Sequence, residues 1–312
     1  MEYMFISILN MGITAGWLIL AVALLRAVLR NIPGSLRCML WGFVGIRLTF
    51  PWLPRTMFSL VPSTQTIRPD FVYQEEPAIH SGIPALNQIV NAVLSESFAP
   101  KADASANPLQ IWMFFLSIVW VTGMLVMIIY AAVRYWRLHR KVRNSIKWKE
   151  NIYFCDDIEV PFILGAVRPR VYLPSSLDAE QAVYAELHEQ AHLARLDHLW
   201  KSLGFILLAV YWFHPLCWAA YWLLCKDLES ACDERVVREF DADSREKYSN
   251  ALLEYSANHS RTAACPFAFG EINVKRRIRN VLAYKKPAVW NTVIAFVLCI
   301  MTAVCFLTNL QN

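Results

Sequence analysis

Two histidines four positions apart enclose a glutamate in "HEQAH", and His188, Glu189 and His192 are the side chains of this sequence best placed to do chemistry. On a helix, positions i and i+4 leave the same face one turn apart, so both imidazoles can grip a single ion. Neutral imidazole is a preferred zinc ligand, and zinc lowers the pKa of a bound water to about 7, making hydroxide available to attack a peptide carbonyl. Glu189 stands beside the first histidine, where it can take the proton from that water. A catalytic site of this kind needs a third protein ligand and leaves the fourth position open. Downstream, "DLESACDE" offers Asp227, Glu229, Asp233 and Glu234 on an expected helix. Glu229 and Asp233 share a face, so one can ligate while the other holds a ligating histidine by hydrogen bond. We assign Glu229 to the metal and Asp233 to the histidine. A chance motif on a surface helix and a merely solvated acidic face are the bland alternatives, and the pair of features weighs against both.

These residues sit in an unusual setting. Of 312 residues, 56% are hydrophobic and only 18% charged, far more apolar than a soluble domain. No charged side chain occurs over 3–25, 107–133, 202–225 or 287–312, and each run has about the 20 residues that cross a bilayer core of about 30 Å. A weaker stretch at 36–60 carries Arg47, Pro51 and Arg55. The expectation is a multi-pass membrane protein: three N-terminal spans over 1–133, a polar domain over 134–286, and a terminal span over 287–312. The basic runs "RAVLRNIPGSLR", "RYWRLHRKVRNSIKWK" and "KRRIRNVLAYKK" flank spans. The positive-inside rule therefore puts them in the cytoplasm, with the N-terminus and the acidic loop at about 62–106 outside. Beside spans, such runs meet anionic lipid, so membrane lipid is the expected partner and no direct nucleic-acid contact is expected. The eight cysteines show no disulfide framework and no C-x-x-C pair.

Within the polar domain, "VPFILGAVRPRVYLP" (160–174) reads as a β-hairpin with Gly165 between its runs. The segment after it reads as an amphipathic helix capped near Ser175. The apolar run 202–225 separates His192 from Glu229, and a single crossing would put about 30 Å of hydrocarbon between these ligands. The run must therefore turn back, and His214-Pro215 near its middle is the natural break. A re-entrant helical hairpin is expected, with His214 a turn residue.

"HEQAH", "RLDHLW" and "DLESACDE" in this order, after the 160–174 hairpin and between spans, resemble the BlaR/MecR-type membrane metallopeptidases. The resemblance covers essentially the whole chain. It implies a bacterial cell-membrane protein, mainly α, with a cytoplasmic α+β gluzincin-type zinc metalloprotease domain. It also implies His188, His192 and Glu229 as Zn2+ ligands, with Glu189 as general base or acid. By the same resemblance, the hairpin supplies an edge strand for an extended substrate, and the substrate is a cytoplasmic transcriptional repressor in a signalling pathway of antibiotic resistance. "NVKRRIRNVLAYKK" becomes a candidate region of self-cleavage. Sensor members carry a penicillin-binding domain after the last span, and this sequence ends a few residues beyond that point. The trigger is therefore expected from the outer loop, a separate sensor protein, or a domain outside this chain; a homodimer is a further candidate assembly.

Other readings remain at this level. A membrane quality-control or CAAX-type zinc protease would share the ligand scheme. A non-catalytic transducer with structural zinc is disfavoured, because structural sites are usually closed by four protein ligands. Transport rests only on the spans and Arg47. Arg235 and Tyr248 are both open as the group that stabilises the oxyanion.

Overall fold

The first charge-free run forms α1 (Glu2–Val28), which carries Arg26 in its last turn. A computed structural model describes residues 1–28, 32–63, 65–68, 70–71, 78–97, 108–257 and 274–310. After α1 come α2 (Gly34–Thr49), the short strand β1 (Arg55–Thr56), α3 (Pro84–Ser97) and α4 (Pro108–Lys141). Four short strands follow: β2 (Ile146–Lys147), β3 (Ile152–Cys155), β4 (Phe162–Leu164) and β5 (Arg170–Pro174). The remainder is α5 (Ala179–Ala194), α6 (Asp197–Val210), α7 (Pro215–Val237), α8 (Ala242–Ala257), α9 (Val274–Leu282), α10 (Val289–Phe306) and β6 (Asn309–Leu310).

Among the described residues, α1, α4 and α10 are long and apolar enough to cross a membrane. The stretch at 36–60 yields, besides the short β1, one helix, α2, whose 16 residues span about 24 Å. It stops because Phe50 precedes Pro51 and is pushed into extended backbone at φ −108°. The 34-residue α4 instead continues past Val133, so that Arg134, Arg137, Arg140 and Lys141 lie on the helix. The described part of the segment 62–106 holds α3; residues 64, 69, 72–77 and 98–106 lie outside the described residues.

The charge-free run 202–225 turns back at Tyr211–His214, with His214 as N-cap and Pro215 opening α7. The return is direct: Lys201 Nζ, on α6, donates to Glu229 Oε1, on α7, at 2.8 Å. From Ser202 to Val210 the first arm advances about 14 Å, roughly half a bilayer core. Main-chain carbonyls freed by a turn in apolar surroundings need donors, and aromatic side chains supply them. Trp120 Nε1 donates to Val210 O at 2.8 Å and Trp218 Nε1 to Trp212 O at 2.7 Å, while the Tyr211 hydroxyl ties the turn to Leu48 O near the end of α2 at 2.8 Å. Gly123 of α4 makes room for the tip, since a Cβ there would lie 2.2 Å from the Trp212 ring. Around the hairpin, Leu18 and Val22 of α1, Trp41 and Val44 of α2, and Phe205, Tyr221 and Leu228 form one buried core. The second arm and the acidic helix are one element, because α7 runs unbroken for 23 residues to Val237.

The sheet runs in the order β2-β3-β5-β4, with β3 and β5 parallel and the outer pairs antiparallel. β4 and β5 form the expected hairpin, with Phe162 opposite Tyr172 and Leu164 opposite Arg170. Gly165 starts its loop at φ +105°, where a Cβ would stand 2.7 Å from Arg168 O. β4 is an edge of this sheet.

Candidate metal centre

The start of α5 is set by Asp178 and not Ser175. The Asp178 carboxylate accepts from Gln181 N at 2.7 Å, and the Gln181 side chain accepts from Asp178 N at 3.2 Å. This reciprocal box satisfies two helix-end donors at once. One turn before the motif, Ala185 packs against Ile152, Val171 and Leu173 of the sheet, which fixes the helix in place. His188, Glu189 and His192 are then all buried, with the imidazole centroids 4.7 Å apart and the rings at 85°. Between α5 and α6 the chain breaks at Leu196, which adopts left-handed backbone at φ +58°. That sharp break lets Asp197, the first residue of α6, turn its carboxylate back to His192 Nδ1 at 2.7 Å.

Across from α5, α7 brings Glu229 to both rings. Its Oε1 lies 3.5 Å from His192 Nε2 and its Oε2 3.6 Å from His188 Nε2. Behind the rings, each Nδ1 has its own partner. The carboxylate of Asp197 can only accept, so His192 Nδ1 donates. The Tyr248 hydroxyl, on α8, donates to Asp233 Oδ1 at 2.9 Å, so it accepts from His188 Nδ1 at 2.7 Å. This network assigns the Nδ1–H tautomer to both neutral rings and leaves two Nε2 lone pairs facing one carboxylate. Asp233 thus reaches His188 through Tyr248, its own Oδ1 being 3.6 Å from Nδ1.

Two residues of the centre carry no signal in local spacing. Arg277 of α9 donates to both oxygens of Asp233, at 2.8 and 2.7 Å, and places Nη2 3.3 Å from His188 Nε2. Its Nη1 lies 3.4 Å from Glu229 Oε2. Cys232, fully buried, donates from Sγ to His188 O at 3.3 Å and lies 3.6 Å from His188 Nδ1. His188, His192 and Cys232 can each put a ligand atom within 4.8 Å of the others. The thiol approaches His188 on its Nδ1 side, already engaged by Tyr248, whereas Glu229 faces the Nε2 atoms of both rings. Asp197 did have a signal, as the acid five residues after His192 in "RLDHLW". Arg235 is exposed, and Tyr248 is committed behind His188.

The electrostatics suit a cation site. Burial pushes the Glu229 carboxyl up, but Lys201, His192 and Arg277 together hold it well below the ordinary carboxylate range. Burial would lower His188, yet Cys232 and Glu229 raise it to about 9. Burial and the adjacent Asp233 hold the Tyr248 phenol well above its usual value, so it remains a donor. Ligand imidazoles must be neutral, so an ion entering here displaces protons. Two imidazoles and a carboxylate, each histidine held from behind by a hydrogen bond, are the donor set and surroundings that zinc takes in catalytic sites.

Elsewhere, Asp227 is fully buried and accepts from Arg26 and Trp41, not from the centre. Glu234 accepts from Arg37 and the Gly34 amide. His214 packs beside Gly12 and Gly16 of α1 at the hairpin tip. Buried Arg47 of α2 donates to Asn309 Oδ1 at 2.9 Å, joining α2 to β6. The segment 274–282 is helical, so a protease that takes extended peptide would first have to unwind it.

Residues 6–281 match the family model described as BlaR1 peptidase M56. The Regulatory protein BlaR1 of Bacillus licheniformis is 25% identical over an alignment of 228 positions that covers 64% of this chain and 37% of that protein. The similarity thus spans well under half of the curated relative. With the matched region containing the three-residue convergence on α5 and α7 and most of the apolar helices, the chain belongs to the BlaR1 peptidase M56 family of membrane metallopeptidases.

Proposed function

We propose that this chain is an integral-membrane, zinc-dependent endopeptidase of the gluzincin type that cleaves a cytoplasmic transcriptional repressor. The observation that carries the reading is the pair of Nε2 atoms, 3.6 and 3.5 Å from the two oxygens of Glu229, each ring fixed from behind. His188, His192 and Glu229 would hold the ion, which when bound polarises a carbonyl and makes a water nucleophilic near neutral pH. Glu189, buried between the two histidines on α5, accepts the proton of the attacking water and passes it to the leaving amine. Asp197 and Tyr248 keep the imidazoles in the ligating tautomer. Asp233, gripped by Arg277, keeps Tyr248 in place. The free edge of β4 offers main-chain hydrogen bonds to an extended substrate, the form in which a peptide bond is most accessible.

The basic end of α4 and the basic α9 support a cytoplasmic face for the centre. The similarity to a relative named as a regulatory protein supports a regulatory substrate over general degradation. The test is cleavage of a small repressor encoded beside this gene. Purified chain should carry about one zinc and cut the repressor at a defined bond, and Glu189→Ala should keep the zinc and lose cleavage. Unchanged cleavage by Glu189→Ala would remove it from the reaction, and indiscriminate cutting of unfolded membrane proteins would remove the regulatory reading.

A further inference from the structure

A second site lies where α7 and α9 leave the apolar layer. Arg26 and Lys226 are the first charged residues after the charge-free runs 3–25 and 202–225. Arg26 Nε donates to Asp227, the neighbour of Lys226, at 2.7 Å, so the two apolar runs end at one level. That level is the bilayer border, where phospholipid phosphates lie. Trp222, one turn back along α7, is 39% exposed there, and Lys226 Nζ stands 4.5 Å from its ring centroid. A tryptophan beside a lysine is the side-chain pairing of an interfacial belt.

The charges at this level do not balance. Arg26 is taken up by Asp227, and Arg37 by Glu234. Lys226 is only 8% exposed, and among the described residues neither it nor Arg276 has an ion pair. Arg276 of α9 is near enough to Lys226 and Arg26 for the cations to repel one another, and the one carboxylate that attracts both Lys226 and Arg276, Asp227, is already paired with Arg26. Lys226 and Arg276 open onto a cleft between α7 and α9 that Ser230 and Asn280 also line, and whose two carboxylates are already engaged, Asp233 by Arg277 and Glu234 by Arg37. The surplus positive charge is at the end of the cleft nearest the apolar layer.

We propose that Lys226 and Arg276 form a discrete site for the phosphate of an anionic phospholipid. Its depth distinguishes it from a docking site for an acidic peptide, which would approach from the aqueous side. Because Arg276 is followed on α9 by Arg277, which holds Asp233, an occupied lipid site fixes this helix against the metal centre.

The full chain is reconstituted in discs of phosphatidylcholine alone or with phosphatidylglycerol, then extracted in mild detergent for native mass spectrometry. Phosphatidylglycerol should be retained in preference to phosphatidylcholine, and the double variant Lys226→Gln/Arg276→Gln should retain it roughly tenfold less. Lys226→Arg/Arg276→Lys should restore retention, and Arg137→Gln/Arg140→Gln, equally basic positions on α4, should leave it unchanged. Equal retention of both lipids by the unmodified chain overturns the proposal without any variant. So does an equal loss in the α4 variant, which would mean general charge attraction. Displacement of the lipid by excess inorganic phosphate would make the source a soluble anion, and selective binding of an acidic peptide in phosphatidylcholine discs would make it a protein; either result also overturns it.

Discussion

The Tyr248 hydroxyl lies 2.7 Å from His188 Nδ1 and donates onward to Asp233, so a residue on α8 determines which nitrogen of His188 is free. Asp197 does the same for His192 from the first position of α6. Removing either partner while sparing the ligands should loosen the ion. For Tyr248→Phe and for Asp197→Ala, zinc affinity should fall about 10- to 100-fold, read by competition with a chromophoric chelator. Wild-type affinity in both would mean that these contacts do not orient the rings.

Arg277 grips Asp233 at two points with a planar fork. Lysine keeps the charge and loses the fork. In Arg277→Lys, kcat/KM for repressor cleavage should fall by about tenfold or more with zinc content retained. A variant as active as the parent would show that charge alone suffices.

The buried carboxylate of Asp227 joins α1 and α2 to the helix that carries Glu229, through Arg26 at 2.7 Å and Trp41 at 2.9 Å. Deleting one partner of a buried pair leaves an uncompensated charge. Asp227→Ala should cost about 3–5 kcal/mol, and the double change Arg26→Met/Asp227→Leu should lose less. Denaturant titration in mixed micelles measures both. A double variant no better than Asp227→Ala would argue against a charge penalty.

Leu196 is half exposed and sits at φ +58° to aim Asp197 at His192. Left-handed backbone costs a leucine roughly 1–2 kcal/mol, and glycine adopts it freely at the expense of unfolded-chain entropy. Leu196→Gly should therefore stay within about 1 kcal/mol of the parent. Leu196→Val, β-branched at positive φ, should lose both stability and zinc. Thermal unfolding with zinc analysis distinguishes them; a tolerant Leu196→Val would mean the turn does not position Asp197.

The convergence of His188, His192 and Glu229 was legible because it rests on short-range rules. The i, i+4 spacing puts two imidazoles on one face, and an apolar run broken by proline between ligands of one ion must turn back. What was not legible depends on packing between distant segments. Arg277 is 89 positions from His188 and lies in a basic run whose composition speaks of membrane borders, not of a buried guanidinium. Tyr248 needed the placement of α8, and Cys232 was hidden among cysteines that otherwise only fill space. The helix cap moved from Ser175 to Asp178 because Gln181, three residues on, completes a box there. The helix within 36–60 ends at Thr49 because Pro51 acts on its neighbour.

Whether Glu229 or Cys232 is the third ligand is decided by X-ray absorption at the zinc edge of the purified full chain. With Glu229 as ligand the zinc has only nitrogen and oxygen neighbours, at about 2.0–2.2 Å, and the ion is lost in Glu229→Ala and kept in Cys232→Ala. A sulfur neighbour at about 2.3 Å would contradict this and assign the third position to Cys232.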